Sequence, residues 1–507
     1  MEIKDFVPRV YQINIASTCK EKNTLVCLPT GTGKTKIGIL AALERLNKFQ
    51  ESKVLVLTPT KPLAAQICNE FKNNTTINSE EVILLTGSIS PKKRKEMYNS
   101  AKVIIATPQT IQQDLDNVRI SMKHFSLLIV DECHRSKENF SNTKVAKYLI
   151  EQSDYPRILA LTASPGSSKE IIREVCSNLN IESIEIRTAQ DEDIKEFIQQ
   201  KEIEYINVDF PEDFKKVHNI LKELYNSKLE NVKSFGITKP LSIINKTDLI
   251  ILQKRLISEI KNKNKSAFYG MYLVSYLLKL NYAMELLETQ SLQSLKEFFN
   301  KLKTDESKAG KSLISDEKIK KAEFIVEELI LKGIKHPKLI KLIEIIKEEL
   351  SKNINYKAIV FANYRNTVNE IVNLLNTNGI ISSKFVGQAD RKDKGLKQKE
   401  QMEIINKFKE NKFSILVASS VGEEGIDIPE VNAVIFYEPI GSELRKIQRT
   451  GRTGRTKPGK IVFLMTKGTR DVGYFFSSLN KEKKMHSTLR KMKETSLFEY
   501  AKDNNRQ

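Results

Sequence analysis

The run Leu28-Pro-Thr-Gly-Thr-Gly-Lys-Thr35 places two glycines before a lysine and a threonine, the residue types a phosphate-binding loop needs. Gly31 and Gly33 allow backbone N–H groups of Pro29–Thr35, proline excepted, to crowd round a polyphosphate. A helix beginning here adds about half a positive charge. Lys34 is placed to reach the β- and γ-phosphates and Thr35 to ligate Mg²⁺. The general pattern has a glycine five residues before Gly33; here Leu28 stands there. A second chemical pair, Asp131-Glu132, opens Asp131-Glu-Cys-His134. Asp131 can hold Mg²⁺ through water while Glu132 orients or deprotonates the attacking water. Acid pairs at strand ends are ordinary. This one follows a full apolar strand about 100 residues after a phosphate loop, which suits hydrolysis. Far downstream, Gln448-Arg-Thr-Gly-Arg-Thr-Gly-Arg455 repeats arginine at Arg452 and Arg455. Guanidinium groups stay charged and fork onto phosphate oxygens, so these two could reach a γ-phosphate across a cleft. They could equally form a plain basic patch. Asp427, in Gly422-Glu-Glu-Gly-Ile-Asp427, could accept from a ribose hydroxyl.

The elements that must hold these residues are legible as apolar runs. Thr24–Cys27 leads into the loop, and Lys36–Leu46 is helix-forming. Lys53–Leu57, Lys102–Ala106, Leu127–Val130 and Ile158–Leu161 read as buried parallel strands. Each ends in polar or turn residues: Thr58-Pro59, Thr107-Pro108, Asp131-Glu132 and Thr162-Ala-Ser164. Ligands gather at such carboxyl ends. A second series, Ala358–Phe361, Ser383–Val386, Ile415–Ala418, Val434–Tyr437 and Ile461–Leu464, lacks a phosphate loop. One nucleotide between two lobes is therefore expected. Between them, Glu212–Leu229, Leu249–Lys261, Ala267–Glu288, Leu292–Leu302 and Asp316–Leu331 read as helices. Ser266 is the expected cap, and Phe268, Met271, Val274, Leu277 and Leu278 the expected bundle core. Ala309-Gly-Lys-Ser312 follows no strand and reads as a connector. Lys254, Arg255, Lys261, Lys263 and Lys265 cluster at one helix end, as a solvated face or a nucleic-acid contact. The expected organisation is α/β: a first layer over 1–198, a helical insertion over 199–335, a second layer over 336–480 and a charged tail over 481–507. The strand-like 202–209 is expected to cross to the second layer.

Composition sets the partner class. The formal net charge is +20 over 507 residues, which suits a polyanion, nucleic acid before acidic membrane. No apolar run of about 18 residues occurs, so no membrane span is expected. Five cysteines without a C-x-x-C pair argue against a zinc site or disulfide framework and for a reduced cytoplasmic compartment. Tryptophan is absent, so base stacking must use Tyr, Phe or Arg.

In order, Gln12, Thr30–Thr35, Thr58–Thr60, Asp131–His134, Thr162–Ser164, Gly422–Asp427 and Gln448–Arg455 resemble the motif series of superfamily 2 helicases. Asp-Glu-Cys-His with Thr162-Ala-Ser-Pro-Gly166 resembles the group that holds RIG-I-like receptors, Dicer and Hef/FANCM. Gly422–Val431 and Phe436-Tyr-Glu-Pro439 are most similar to archaeal members of the Hef/FANCM family. The resemblance implies two tandem RecA-like parallel-sheet domains with an all-helical insertion, ATP and Mg²⁺ as cofactors, and an archaeal, intracellular source. It implies a DNA-stimulated helicase or translocase acting on forked or branched DNA in fork repair. RNA remains the rival substrate, and a motor-less binding scaffold a third reading. It further implies adenine recognition by Gln12, with Pro29, Thr30, Gly31, Thr32, Gly33 and Gly425 around the nucleotide. Arg452 and Arg455 become arginine fingers, Asp427 the ribose contact. His134, Thr162, Ser164 and Gln448 become coupling residues. The nucleic-acid backbone falls to Thr58, Pro59, Thr60, Lys61, Gly87, Thr107 and Pro108 in the first lobe. In the second it falls to Tyr364, Arg365, Gly387, Gln388, Ser419 and Ser420. Leu28 is no defect in this light, because the superfamily commonly lacks the first glycine. Archaeal Hef carries a nuclease region after its helicase; no acidic nuclease cluster is visible towards residue 507, so no endonuclease activity is expected of this chain.

Overall fold

The computed structural model describes residues 1–387, 396–419, 428–454 and 457–504. Thirteen strands are described, in chain order β1 (Thr24–Cys27), β2 (Lys53–Leu57), β3 (Val82–Leu85), β4 (Val103–Ala106), β5 (Phe125–Asp131), β6 (Ile158–Thr162), β7 (Ser183–Ile186), β8 (Lys201–Val208), β9 (Ala358–Phe361), β10 (Ser382–Phe385), β11 (Ile415–Ala418), β12 (Ala433–Phe436) and β13 (Gly459–Thr466). They form two wholly parallel sheets, ordered β3-β4-β2-β5-β6-β1-β7 and β10-β11-β9-β12-β13-β8. These are the two RecA-like layers. Interior strands such as β1, β4, β6 and β9 are buried at every position, since helices cover both faces of each sheet. Register keeps the chemical ends level: Cys27 pairs with Thr162, and Leu57 with Val130.

Two strands of the first sheet have no counterpart in the sequence reading. β3 and β7 are its edges, and β7 alternates half-buried and buried residues over Ser183–Ile186. β8 lies before the insertion in sequence yet pairs with β13 from Lys201↔Gly459 to Val208↔Thr466. The insertion therefore leaves from, and returns to, the second lobe.

The insertion is built from helices Glu212–Val232, Lys246–Lys261, Ser266–Thr289, Leu292–Lys303, Lys308–Ser315 and Glu317–Leu331 around one apolar core. Three expectations are corrected here. Ala309–Ser312 is no connector: it lies in Lys308–Ser315, whose Ala309 and Leu313 are buried in the bundle, with Ser307 capping Gly310 N–H at 3.1 Å. Ser266 is not the cap but the first helical residue, and Asn264 Oδ1 accepts from its N–H at 3.1 Å. Phe268 is 61% exposed, although Val274 and Leu277 are buried as their spacing predicts.

The charged tail is part of a longer helix. Arg470–Asn504 is a single helix that starts in the second lobe and ends against the first. Met485 and Leu489 are fully buried in the apolar cluster that also holds β5 and β7 residues. Arg490 bonds Asp191 at 3.2 Å and Lys493 bonds Glu185 at 2.8 Å, fastening this strap to the edge next to β7. Burying two such side chains stabilises the docked helix by about 1.5–3 kcal/mol each.

Candidate nucleotide-binding cleft

The Pro29–Gly33 loop joins β1 to the helix Lys34–Lys48. Gly31 and Gly33 have φ of +83° and +77°, the left-handed region that disfavours side chains. A Cβ on Gly33 would also lie 2.6 Å from Gln12 Nε2. Gln12 is buried in the helix Val10–Glu21 and braces the loop from outside the sheet. Its Nε2 donates to Thr32 O at 3.2 Å and its Oε1 accepts from Arg9 N–H at 3.0 Å. Tyr11 Oη also donates to Thr32 O, and Arg9 stacks over Phe197 at 4.2 Å. Leu28 is fully buried, so its side chain belongs to the core and leaves the loop interior clear. Lys34 Nζ donates to Leu28 O at 3.1 Å and Pro29 O at 3.2 Å, which holds its charge over the loop.

Asp131 closes β5, and Glu132 follows with φ +50°, a strained conformation for a non-glycine residue. That turn brings Glu132 Oε2 to 3.3 Å from His134 Nδ1. His134 Nδ1 in turn lies 3.4 Å from Thr162 Oγ1. Thr162 Oγ1 donates to Ser164 O at 3.0 Å, and Ser164 Oγ donates to Met485 Sδ at 3.0 Å. A relay thus runs from the acid pair through β6 to the strap helix. Burial and the neighbouring Glu132 raise the Asp131 carboxyl well above the usual range, while Lys34 pulls it back. Glu132 Oε2 is buried, with the His134 ring nitrogen as its near polar neighbour. Two crowded carboxylates short of positive charge fit a hard divalent cation bound through oxygen and water.

Across the cleft stands the helix Glu443–Thr450, whose following turn packs directly on the loop. A Cβ on Gly451 would lie 2.4 Å from Thr30 Oγ1 and 2.7 Å from Thr30 Cβ. Only glycine permits that approach. Lys201, the first residue of β8, donates to Thr450 O at 3.1 Å. A cavity of about 460 Å³ lies here, lined by residues that include Pro29, Thr30, Gly31, Phe197, Lys201 and Gly454. Arg452 and Gln448 are largely buried on this wall. Arg455, Asp427 and Gly425 lie outside the described residues, as do Gln388 and Ser420.

The candidate nucleic-acid residues sit at the carboxyl ends of their strands. In the first lobe Thr58 is buried and donates to Thr60 O at 3.2 Å, while Thr60 Oγ1 caps the helix Lys61–Asn74. Thr107 Oγ1 meets Thr110 Oγ1 at 2.8 Å, Pro108 is buried, and Lys61 and Gly87 are exposed. In the second lobe Ser419 is buried and Gly387 half-buried. Tyr364, which precedes Arg365 at a helix start, gives its hydroxyl to Glu285 of the insertion at 3.0 Å.

Several buried polar groups escaped sequence reasoning. Asp114 is fully buried and takes Arg94 Nε at 2.6 Å, Arg94 Nη2 at 2.7 Å and Tyr98 Oη at 2.7 Å, so it fastens the segment after β3. Arg449, inside the arginine run, is fully buried over Phe361 at 4.6 Å and donates to Asn363 Oδ1 at 3.2 Å. Helical position gives little signal for Arg449, since Arg445, four residues earlier on the same side of Glu443–Thr450, is exposed.

Comparison with known proteins agrees with this geometry. Residues 9–172 match the DEAD/DEAH box helicase model, 213–331 the model described as putative ATP-dependent RNA helicase, helical bundle, and 337–457 the helicase conserved C-terminal domain. The crystal structure of the Pyrococcus furiosus Hef helicase domain is similar, with a TM-score of 0.73 and 42% identity, covering 93% of this chain and 98% of that one. A putative ATP-dependent RNA helicase of Methanocaldococcus jannaschii is 42% identical over 490 residues, 96% of this chain and 61% of the relative. The ATP-dependent DNA helicase mph1 of Neurospora crassa is 33% identical over 505 residues, 96% of this chain and 43% of the relative. The chain therefore spans roughly half the length of these two curated relatives. Among the described residues, no helix is long and apolar enough to cross a membrane.

Proposed function

The chain belongs to the Hef/FANCM group of DEAD/DEAH box helicases, and from that premise we propose that it is an ATP-driven DNA helicase or translocase that remodels forked or branched DNA in fork repair. The observation that carries this reading is the contact of Gly451 with Thr30, since it sets the arginine-bearing turn of one lobe on the phosphate loop of the other. Lys34 binds the phosphates, and Gln12 and Asp427 receive the base and ribose. Thr35 and Asp131 would hold Mg²⁺, which would supply charge neutralisation on the phosphates. Glu132 orients the attacking water, and Arg452 with Arg455 stabilises the charge that develops on the transferred phosphoryl group. The relay Glu132–His134–Thr162–Ser164 passes the state of the cleft to the strand-binding ends of the sheets, with Gln448 on the opposing wall. Thr58–Lys61, Gly87, Thr107, Pro108, Tyr364, Arg365, Gly387, Gln388, Ser419 and Ser420 grip the backbone and read no bases. Alternating closure of the two lobes moves the strand.

The test is ATP turnover across single strands, duplexes, forks and four-way junctions, in DNA and in RNA. Lys34→Ala and Glu132→Gln should abolish stimulated turnover while leaving the fold intact; normal turnover in either would sink the assignment. The helical-bundle family description and the Methanocaldococcus jannaschii relative's name favour RNA as the second reading. Stimulation by duplex RNA and none by forked DNA would establish it.

A further inference from the structure

The segment that joins the two lobes is also a wall of the nucleotide cleft. Seven of the eleven described residues lining the cavity of about 460 Å³ come from 189–201, against three from the phosphate loop and Gly454 from the second lobe. The segment is fixed at both ends. On the first lobe Ile194 is fully buried in the core behind the loop, and Asp191 Oδ2 accepts from Thr188 Oγ1 at 2.8 Å. On the second lobe Gln200 O accepts from Gly459 N–H at 3.2 Å, and Lys201 begins β8. Lys201 lies so close to Gly454 that a Cβ there would stand 2.7 Å from its Cε.

Phe197 is the only ring among those lining residues. Arg9 lies over it at 4.2 Å, and Tyr11 is tilted against it with ring centroids 5.8 Å apart. Its own N–H donates to Ile194 O at 3.0 Å. The ring is thereby held in place, half-buried, with its remaining surface bordering the cavity. The other groups near the loop that could meet a base are already engaged. Gln12 is 2% exposed, and its amide is bonded at Nε2 to Thr32 O and at Oε1 to Arg9 N–H. That leaves it at most an edge contact and no face to stack on. Tyr11 is fully buried, and Lys36 Nζ stands over the Phe6 ring at 4.2 Å. A nucleobase is a flat face with a polar rim, and stacking on a ring is the contact that holds such a face. A ring that served only the core would be covered on every side. Phe197 is not.

We propose that Phe197 stacks the base of the bound nucleotide, with Arg9 behind the ring and Gln12 at the base's edge, so that this residue distinguishes a nucleoside triphosphate from a bare polyphosphate. The assignment rests on the ATP-driven reading for its ligand, but the contact itself needs neither nucleic acid nor turnover. The test uses the full chain without nucleic acid. The sequence holds no tryptophan, so Phe197→Trp places a sole indole in the wall. ADP should quench its fluorescence in a saturable titration. Tripolyphosphate, which carries phosphates without a base, should bind and leave the fluorescence unchanged. Phe197→Leu keeps an apolar side chain against the core and removes the stacking face. By calorimetric titration it should bind ATP about tenfold more weakly than the wild type, and tripolyphosphate within about twofold of it. Equal weakening for ATP and tripolyphosphate overturns the assignment and makes Phe197 a brace for the loop. So does an unchanged ATP affinity in Phe197→Leu, or quenching by tripolyphosphate as deep as by ADP. A base-dependent quench in a chain whose turnover no nucleic acid stimulates keeps the stacking residue and sinks the motor; stimulated turnover without that quench sinks the stacking residue alone.

Discussion

The second lobe makes two junctions, and they are built from opposite chemistry. Against the insertion it is polar, buried and closely bonded. Beneath that junction, and wholly within the second lobe, Lys338 and Asp471 form a fully buried ion pair, and Lys338 also donates to Tyr437 O at 3.2 Å. Glu288 of the insertion accepts from Arg470 N–H and Nε, each at 2.9 Å, and meets His218 Nε2 at 2.9 Å. These bonds hold the Glu288 carboxyl down at about 2 despite its burial. Against the first lobe the contact is a strap with an apolar core, edged by the Arg490 and Lys493 ion pairs, and a glycine pressed on a threonine. Directional buried bonds hold one geometry, whereas apolar faces and a bare backbone tolerate sliding. The insertion is thereby made part of the second lobe, and motion is left to the cleft.

Breaking the buried ion pair beneath the polar junction should have the largest effect. Asp471→Ala strands the Lys338 ammonium in the core and should lower unfolding stability by about 3–5 kcal/mol. Urea denaturation measures it; a loss under 1 kcal/mol would mean the pair contributes little to the part of the second lobe on which the insertion rests. Next comes the strap. Met485→Ala with Leu489→Ala removes two fully buried side chains, each with a local cost of about 2–5 kcal/mol. Hydrogen exchange should then rise in the helix beyond residue 480 and spare the insertion. Stimulated kcat should fall, since Met485 ends the relay from Glu132, and Met485→Leu should retain the docking while losing the sulfur–hydroxyl contact. Equal exchange in strap and insertion would erase the distinction between the two junctions.

Gly451→Ala tests the cleft itself. The added methyl meets Thr30 and should hold the lobes apart, lowering kcat by up to about 100-fold with little change in stability. Thr30→Gly in the same chain should recover part of the loss. Additive losses in the double variant would mean that the two residues never meet during turnover.

Physical context decides which of these features a sequence displays. Interior strands such as Val103–Ala106 are apolar throughout because both faces are covered, and they stand out. β3 and β7 lie at the edges, and the acids flanking or interrupting them hide the pattern. The phosphate loop and the acid pair are local in sequence and legible as such. The strap is not: Met485 and Leu489 lie four apart in a lysine-rich run, and nothing local says that their core belongs to the other lobe. Phe268 carries core spacing yet is exposed, because the buried face of its helix at that end runs through Ala267 and Gly270 instead. Asp114 shows the same limit for polar residues, since its three donors come from Arg94, Tyr98 and Arg119.

The smallest expected effect sharpens the polar junction by pH. His336 is buried, caps the helix Pro337–Lys352 by accepting Lys338 N–H at 3.2 Å, and packs edge-on against Phe214 of the insertion at 5.6 Å. Burial, with Lys338 nearby, pushes its imidazole down to about 3. The folded chain therefore holds His336 neutral where the unfolded chain protonates it. Its contribution is full above the ordinary histidine value of 6.5 and is lost as pH falls from there towards 3. Glu288 titrates in the same sense, from 4.5 down to about 2. His336→Asn keeps a capping oxygen and removes the titration. The slope of stability against pH between 6.5 and 4.5 should become shallower in that variant, with stability near pH 7.5 changed by about 1 kcal/mol or less. An unaltered slope would place the acid sensitivity elsewhere and leave Glu288, which responds only at lower pH, as the titrating partner in this junction.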